Sequence, residues 1–383
     1  MGTTSMTEKL YDKAVFIGRF QPAHKGHFHV IKKAAERLKD GGDLIVLVGS
    51  ANRSKSIRNP LNAEQRISLL CEGLVDVGLL NKQHNDSDST IIHTMYDNKE
   101  FTIHLLPLDD DPYNLNMWIE NVQRIVSNVS IKDITGTNSD EVALVGHSKD
   151  HTSFYLKMFP QWDSVEIDNY EGVSSTDLRE GIFENRLEVL DQTTPMIKNI
   201  ILNEFEEFDD IRKEAEFVKA YKKSWANSPY EPIFSTVDAV IVQAGHVLLI
   251  ERGDFPGKGQ LALPGGYVDP HEFIQDAMVR EVYEETRLDI PKRVFRSYIK
   301  GEPVVFDDPH RSVRGRTITH AFLVDISDNV SYGAHEIKMT SIRGGDDAAS
   351  ASWVPLGKIR AENMFEDHYF IIREMLRRNG GLK

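Results

Sequence analysis

Short apolar runs alternate with amphipathic stretches through the first 145 residues. Ala14–Ile17 is an apolar run that stops at Gly18. Phe28–Leu38 places its apolar residues at helical spacing. Leu44–Val48 is continuously apolar and is bounded by Gly41-Gly42 and Gly49. A helical pattern over Ala63–Val77, an apolar run at Phe101–Leu106, a second helical pattern over Asn116–Val126 and a buried run at Val142–Val145 follow. Continuous apolar strands separated by helices predict βαβ units on a doubly wound parallel sheet, covered on both faces.

From Pro195 to Trp225 the pattern is helical and charged, and it ends in the polar stretch ANSPYEP. The texture then changes. Val237–Val242 and His246–Glu251 read as a hairpin around Ala244-Gly245, with further strands near Arg296–Ile299, Thr317–Val324 and Ser352–Val354. One long helix from Gln275 and a second from Glu366 to Arg378 complete an α+β pattern. The expected organisation is an α/β domain over residues 12–194, a helical segment and linker over 195–231, and an α+β domain over 232–383.

Composition narrows the class. The 383 residues are 40% hydrophobic and 27% charged, an ordinary globular balance. A net charge of −14 argues against a broad nucleic-acid surface, so anionic ligands need local basic clusters. The single cysteine, Cys71, lies in the apolar run ISLLCEGLV and reads as core in a reducing cytoplasm. No apolar run reaches the length of a membrane span, and the N-terminus has no apolar signal core. Met6 stands where a myristoylation motif wants Ser or Thr. A cytoplasmic protein is expected; its oligomeric state stays open, and a homo-oligomer is compatible.

The strongest chemical signal is GYVDPHEFIQDAMVREVYEETRL, residues 266–288. Residues three and four apart share a helix face, so Glu281, Glu284 and Glu285 point one way. Three clustered carboxylates suit a hard cation, Mg²⁺ or Mn²⁺, of the kind bound together with substrate phosphates. The second signal is GRFQPAHKGH, residues 18–27, between the first strand and a helix. A strand, a glycine turn and a helix N-terminus form a phosphate cradle, and His24 and His27 can donate to phosphate oxygens there.

Residues 266–288 resemble the Nudix box, G-x5-E-x7-R-E-U-x-E-E-x-G-U. Every fixed position matches except the last glycine, which is Arg287. The leading Leu263-Pro264-Gly265-Gly266 fits as well. The substitution is expected to alter the helix end and leave the metal site intact. The resemblance implies metal ligation by Gly266, Glu281, Glu284 and Glu285, with Glu284 and Glu285 catalytic. The general base is a box glutamate or one of Glu336, Asp346 and Asp347 in the Gly-rich segment 333–350.

GRFQPAHKGH resembles the signature of the HxGH nucleotidylyltransferases, within them the archaeal-type nicotinamide mononucleotide adenylyltransferases. Ser56–Leu61 with Glu64-Gln65-Arg66, Leu106–Asp109 with Trp118, Gly146–Asp150, and Ser174–Arg179 support the narrower match. Ser175 stands where the family has glycine. The resemblance implies phosphate contacts at Gly18, Arg19, His24 and His27, with Arg19, His24 and His27 catalytic, and substrate contacts at Phe20, Arg58, Asp109, Ser175, Thr176 and Arg179. It also implies nicotinamide stacking on Trp118. Arg66, one turn into a helix, reads as a surface ion-pair residue.

Together the halves resemble the bifunctional bacterial enzymes that fuse the two, which implies a Rossmann-like domain followed by a Nudix fold. The implied ligands are ATP, nicotinamide mononucleotide, NAD and ADP-ribose, with no nucleic acid and no membrane. ADP-ribose is favoured by Pro303, fifteen residues beyond the box. Two rivals remain: a Nudix-type regulator that senses ADP-ribose or NAD, and an HxGH transferase for phosphopantetheine or a flavin nucleotide, with a Nudix domain of different specificity.

Overall fold

The computed structural model describes residues 9–80, 90–129, 140–146, 155–168, 170, 172–203, 208–327, 332–333, 336–337, 339–345 and 348–380. It divides into two units. Unit 1 holds residues up to Asp210 except Ser54–Ile57, and unit 2 holds Ser54–Ile57 with Ile211 onward.

Unit 1 is built on β1 (Tyr11–Gly18), α1 (Lys25–Glu36), β2 (Leu38–Val48), α2 (Ala63–Asp76), β3 (Ile91–Tyr96), β4 (Lys99–Pro107), α3 (Leu115–Asn128), β5 (Val142–Gly146), β6 (Asp163–Glu166), α4 (Ser175–Phe183) and α5 (Pro195–Asn203). The sheet order is β3-β4-β2-β1-β5-β6. All pairs are parallel except β3–β4. The predicted doubly wound sheet is therefore present. Alternation along β1 explains the two covered faces. Ala14 and Phe16 enter one core with α1, α2 and α5, while Val15 and Ile17 enter another with α3. The direction of strand order reverses at β1, between β2 and β5, so the crevice beyond the carboxyl ends of β1 and β5 is the favoured ligand position.

Two details depart from the sequence pattern. β2 begins at Leu38, not Leu44, and runs through Gly41-Gly42. The pairing with β1 is irregular there, from Tyr11↔Leu38 to Lys13↔Asp43, and Gly41 takes φ 73°. The helical stretch after residue 195 is two helices. α5 sends Ile197 and Ile201 into the unit 1 core, and α6 (Asp209–Ser224) buries Ile211 and Val218.

Unit 2 continues with β7 (Ile233–Gln243), β8 (His246–Arg252), β9 (Leu261–Ala262), β10 (Gly265–Tyr267), α7 (Ile274–Thr286), α8 (Lys292–Arg296), β11 (Ile299–Phe306), β12 (Arg316–Asp325), β13 (Tyr332–Gly333), β14 (Glu336–Ile337), β15 (Ala348–Pro355) and α9 (His368–Arg378). The main sheet runs β11-β12-β7-β8-β15, with β10 on β7 and β9 on β8. The expected hairpin is there: Ala244 at φ 45° and Gly245 at φ 75° give the left-handed pair that tight hairpins need. α7 lays Ala277, Met278, Val279 and Val282 on a core shared with Val237, Ala239, Ile241 and Leu248. The strand expected at Arg296–Ile299 starts only at Ile299. Pro291 opens the short helix α8 instead, which buries Phe295 completely.

Candidate active sites

The turn after β1 is shaped by packing. Phe20 adopts φ 51° and folds its ring back over Gly18, where a Cβ would lie 2.7 Å from Phe20 Cζ. Position 18 therefore requires glycine. Phe20 itself is 1% exposed, with its ring 4.8 Å from that of His27. The expected ligand contact at Phe20 is thus corrected: its ring is core and props the histidine from beneath.

His24 caps α1, and its backbone N–H donates to His27 Nδ1 at 3.2 Å. The two rings stack with centroids 3.7 Å apart. Because Nδ1 of His27 accepts, a neutral ring carries its proton on Nε2, ready to donate outward.

Arg179 reaches the same turn from α4. Its Nη1 donates to Gln21 O at 2.9 Å and its Nη2 to Thr176 Oγ1 at 3.2 Å. Burial, and then the nearby charges of Arg19 and Arg58, lower its pKa to about 10. Arg19, Arg58 and Arg179 are thus close enough to repel, an arrangement an anion relieves. Ser174 accepts the Thr176 N–H as the helix cap, and Ser175 Oγ donates to Pro22 O at 3.3 Å. The residue in the family's glycine position is therefore tied to the turn.

Arg66 overturns the surface ion-pair reading. It is 1% exposed and donates to Asn62 O, Arg19 O, Gly49 O and Ser50 O over 2.6–3.2 Å. Burial lowers its pKa to about 10. One guanidinium therefore ties together the chain ends after β1 and β2. Sequence spacing could not reveal this, because the acceptors are backbone carbonyls.

Trp118 is half-buried on α3, 6.2 Å from Phe159, which stacks on Trp162 at 4.6 Å. Asp109 is exposed just beyond β4. Its neighbour Asp110 accepts from Arg53 Nε at 2.9 Å and pairs its backbone with the Asn52 side chain. Gly146 ends β5, and residues 147–150 lie outside the described residues.

In unit 2, α7 brings the box together around Arg280. Its guanidinium donates to Glu272 at 2.7 and 3.2 Å, Glu281 at 2.8 Å, Glu284 at 3.0 Å and Tyr267 O at 3.0 Å. A Cβ at Gly266 would lie 2.4 Å from Glu281 Oε1, so a side chain here would push the Glu281 carboxylate from its present position. Glu285 is 8% exposed and accepts the Gly265 N–H at 2.9 Å. Burial raises its pKa to about 8, and burial likewise raises that of Glu281. Arg287 ends α7 at φ 44°, the left-handed position where the family has glycine.

Among the described residues, no three acidic, histidine or cysteine side chains form a ready coordination shell. The reason is visible: Glu281 and Glu284 both turn onto the same Arg280 nitrogen, while Glu285 turns onto Gly265. The donor set nevertheless fits a hard divalent cation. Glu281 and Glu285 are carboxyls whose ionisation burial disfavours, and a cation beside them reverses that cost. Glu336 lies on β14, its side chain outside the described residues, as are Asp346 and Asp347. Pro303 sits on the edge strand β11 where its pairing with β12 is irregular.

The sequence patterns did not single out a basic, aromatic group beside the box. Arg252 lies 4.0 Å over the Phe365 ring, and Arg314 lies 5.4 Å over Tyr267. Tyr267 shares a hydroxyl contact of 2.9 Å with Tyr221. Arg252 acts electrostatically on Glu285. These residues are scattered along the chain, so no local motif marks them.

Sequence comparison matches residues 15–181 to the cytidylyltransferase-like family and residues 233–376 to the NUDIX domain family. A nicotinamide/nicotinic acid mononucleotide adenylyltransferase of Acinetobacter baylyi is 32% identical over 178 residues, 46% of this chain and 78% of that protein. An ADP-ribose pyrophosphatase of Methanocaldococcus jannaschii is 34% identical over 145 residues, 38% of this chain and 74% of that protein. The crystal structure of a bifunctional NMN adenylyltransferase/ADP ribose pyrophosphatase from Francisella tularensis superposes with a TM-score of 0.81 at 30% identity, covering 96% of this chain and 99% of that one. A second structure of such an enzyme from that organism, complexed with AMP and a manganese ion, gives a TM-score of 0.78 at 29% identity, covering the same shares. With both domains matched and their order preserved over nearly its whole length, the chain belongs to the family of bifunctional NMN adenylyltransferase/ADP ribose pyrophosphatases.

Proposed function

We propose that residues 12–194 transfer the adenylyl group of ATP to nicotinamide mononucleotide, giving NAD and diphosphate, and that residues 232–383 hydrolyse ADP-ribose to AMP and ribose 5-phosphate. The observation that carries the first half is the turn after β1, where the stacked His24–His27 pair and Arg179, which donates to Gln21 O, meet at one helix mouth. A phosphate oxygen of the mononucleotide attacks the α-phosphorus of ATP, the bond from that phosphorus to the bridging oxygen breaks, and diphosphate leaves. The chain needs no covalent intermediate. It positions the reactants and neutralises growing charge, with His27 Nε2–H and the arginines as donors. The Gly18 turn permits close approach of the phosphates, Thr176 and Ser175 set the α4 end of the cradle, and Asp109 and Trp118 contact the nicotinamide nucleotide.

In unit 2 the Glu281, Glu284 and Glu285 carboxylates and the Gly266 backbone would hold Mg²⁺, with Mn²⁺ as a substitute, and the cation would supply neutralisation of the diphosphate charge. Water attacks one phosphorus, the P–O–P bond breaks, and the proton of the water passes to a carboxylate. One carboxylate takes it: Glu284, the exposed box acid, and Glu285 are the candidates on α7, and Glu336, Asp346 and Asp347 are the candidates beyond it. Arg252 and Arg314 are suited to the substrate's anionic groups. The reaction belongs in the cytoplasm, where ATP and the mononucleotide are supplied.

The test is product analysis by chromatography. The full chain is incubated with ATP and, in turn, nicotinamide mononucleotide, phosphopantetheine and flavin mononucleotide, and separately with ADP-ribose. NAD from the first acceptor alone, and AMP with ribose 5-phosphate from ADP-ribose, are expected. A dinucleotide from another acceptor overturns the transferase reading. Tight ADP-ribose binding without turnover supports the sensing alternative.

A further inference from the structure

The turn Leu263–Gly266 presents backbone groups to the box, and each of its residues is held differently. Pro264 O accepts from Ala239 N–H on β7 at 2.9 Å. Gly265 N–H donates to Glu285 Oε2 at 2.9 Å. Gly265 and Gly266 pair with Asp238 and Val237 through β10. Leu263 N–H is held by a side chain from far along the chain: it donates to His368 Nδ1 at 2.9 Å, across 105 residues.

His368 is the first residue of α9 and is 7% exposed. Its Nε2 lies 3.7 Å from Asp238 Oδ1. Asp238 also accepts from Thr319 Oγ1 at 2.6 Å and lies 3.7 Å from Arg311 Nη2. Arg311 in turn forms a two-pronged pair with Asp367, at 2.9 and 3.0 Å. The four charged or titratable members of this network are each under 10% exposed. Burying such groups is costly, and an apolar core of the same shape is often as stable. What the network achieves is geometric. It fixes the imidazole orientation and keeps the proton on Nε2, so that Nδ1 accepts. Burial also lowers the pKa of His368, which preserves the neutral ring.

We propose that His368 is a positioning residue for hydrolysis, fixing through Nδ1 the Leu263–Gly266 turn so that the Gly265 amide and the Gly266 backbone meet the box carboxylates. The proposal rests on the hydrolase reading of unit 2. It concerns the Nδ1 atom, which separates it from a general packing role. In Asn the side-chain oxygen occupies the place of Nδ1, while the longer Gln places its polar end near Nε2. Asn is the smaller of the two and opens the larger cavity, so a loss seen with Gln and not with Asn cannot come from lost packing volume.

The experiment compares His368→Asn, His368→Gln and wild type as full chains. It measures Mn²⁺ affinity by electron paramagnetic resonance, with Glu285→Gln as the blank for the unit 2 site, together with kcat and KM for ADP-ribose and the melting temperature. His368→Asn is expected to stay near wild type, while His368→Gln loses roughly tenfold to a hundredfold in Mn²⁺ affinity and in kcat at unchanged KM. Equal behaviour of the two variants overturns the proposal, whether both are active or both impaired, as does a better Gln. Failure of wild type to hydrolyse ADP-ribose would sink the hydrolase reading instead, and the Mn²⁺ comparison would still decide the role of His368.

Discussion

Arg66 and Glu285 are both buried and ionisable, and they ask opposite things of the fold. Arg66 is satisfied by four backbone carbonyls. Truncating it strands those acceptors in the interior, at a cost of about 3 kcal/mol or more. Arg66→Ala is therefore expected to lower the melting temperature of unit 1 by roughly 6–12 °C and to impair the transferase through displaced turns. Calorimetry on the full chain checks this, and an unchanged melt with lost activity would mean that Arg66 acts on the substrate and not on the fold. Glu285 carries a carboxyl whose folded pKa, about 8, is raised above its ordinary 4.5. For a raised acid the stabilising contribution is complete below the unfolded pKa and disappears as pH rises through the folded value. In chelator, unit 2 should therefore lose stability between about pH 4.5 and 8 through this group. Glu285→Gln should flatten that slope and melt higher than wild type at pH 8. A variant that melts lower there would mark Glu285 as a structural hydrogen-bond acceptor first.

The elements were largely legible, and the misses have physical causes. β1, β4, α2, α7, α9 and the hairpin at 244–245 follow from apolar spacing and turn chemistry. By sequence Gly41-Gly42 resembles a strand boundary, whereas in the fold it is an irregularity inside β2. The strand expected at Arg296–Ile299 begins only at Ile299, because Pro291 starts a helical turn over Lys292–Arg296 that buries Phe295. The end of α7 carries a testable consequence. Arg287 occupies a left-handed position that costs a side-chain residue about 1 kcal/mol relative to glycine. Arg287→Gly should raise the unit 2 melting temperature by roughly 2–4 °C and leave Mg²⁺-dependent hydrolysis intact, as differential scanning calorimetry and kinetics would show. A lower melting temperature would mean that the contact between Arg287 and the backbone around Gly345 outweighs the strain.

At the level of the molecule, each unit has its own core and its own cluster of unusual ionisable groups. The two motifs were readable because the family chemistry is local in sequence: a histidine pair three apart, and carboxylates at helical spacing. What holds those motifs in place was not readable. Arg66 acts on carbonyls from three separate segments, His368 acts on an amide 105 residues away, and Arg252 and Arg314 meet only in the folded sheet. Phe20 was taken for a ligand contact because it sits within the signature, and only the fold places its ring beneath His27. If one chain carries two separate phosphate chemistries, each run by its own residues, the two activities can be lost one at a time. The most direct measurement assays NAD synthesis and ADP-ribose hydrolysis on the same preparations of wild type, His27→Ala and Glu285→Gln. His27→Ala is expected to lose roughly 10²–10³ in NAD synthesis with hydrolysis near wild type, and Glu285→Gln to show the reverse. Loss of both activities in either folded variant, or of neither, would contradict that separation.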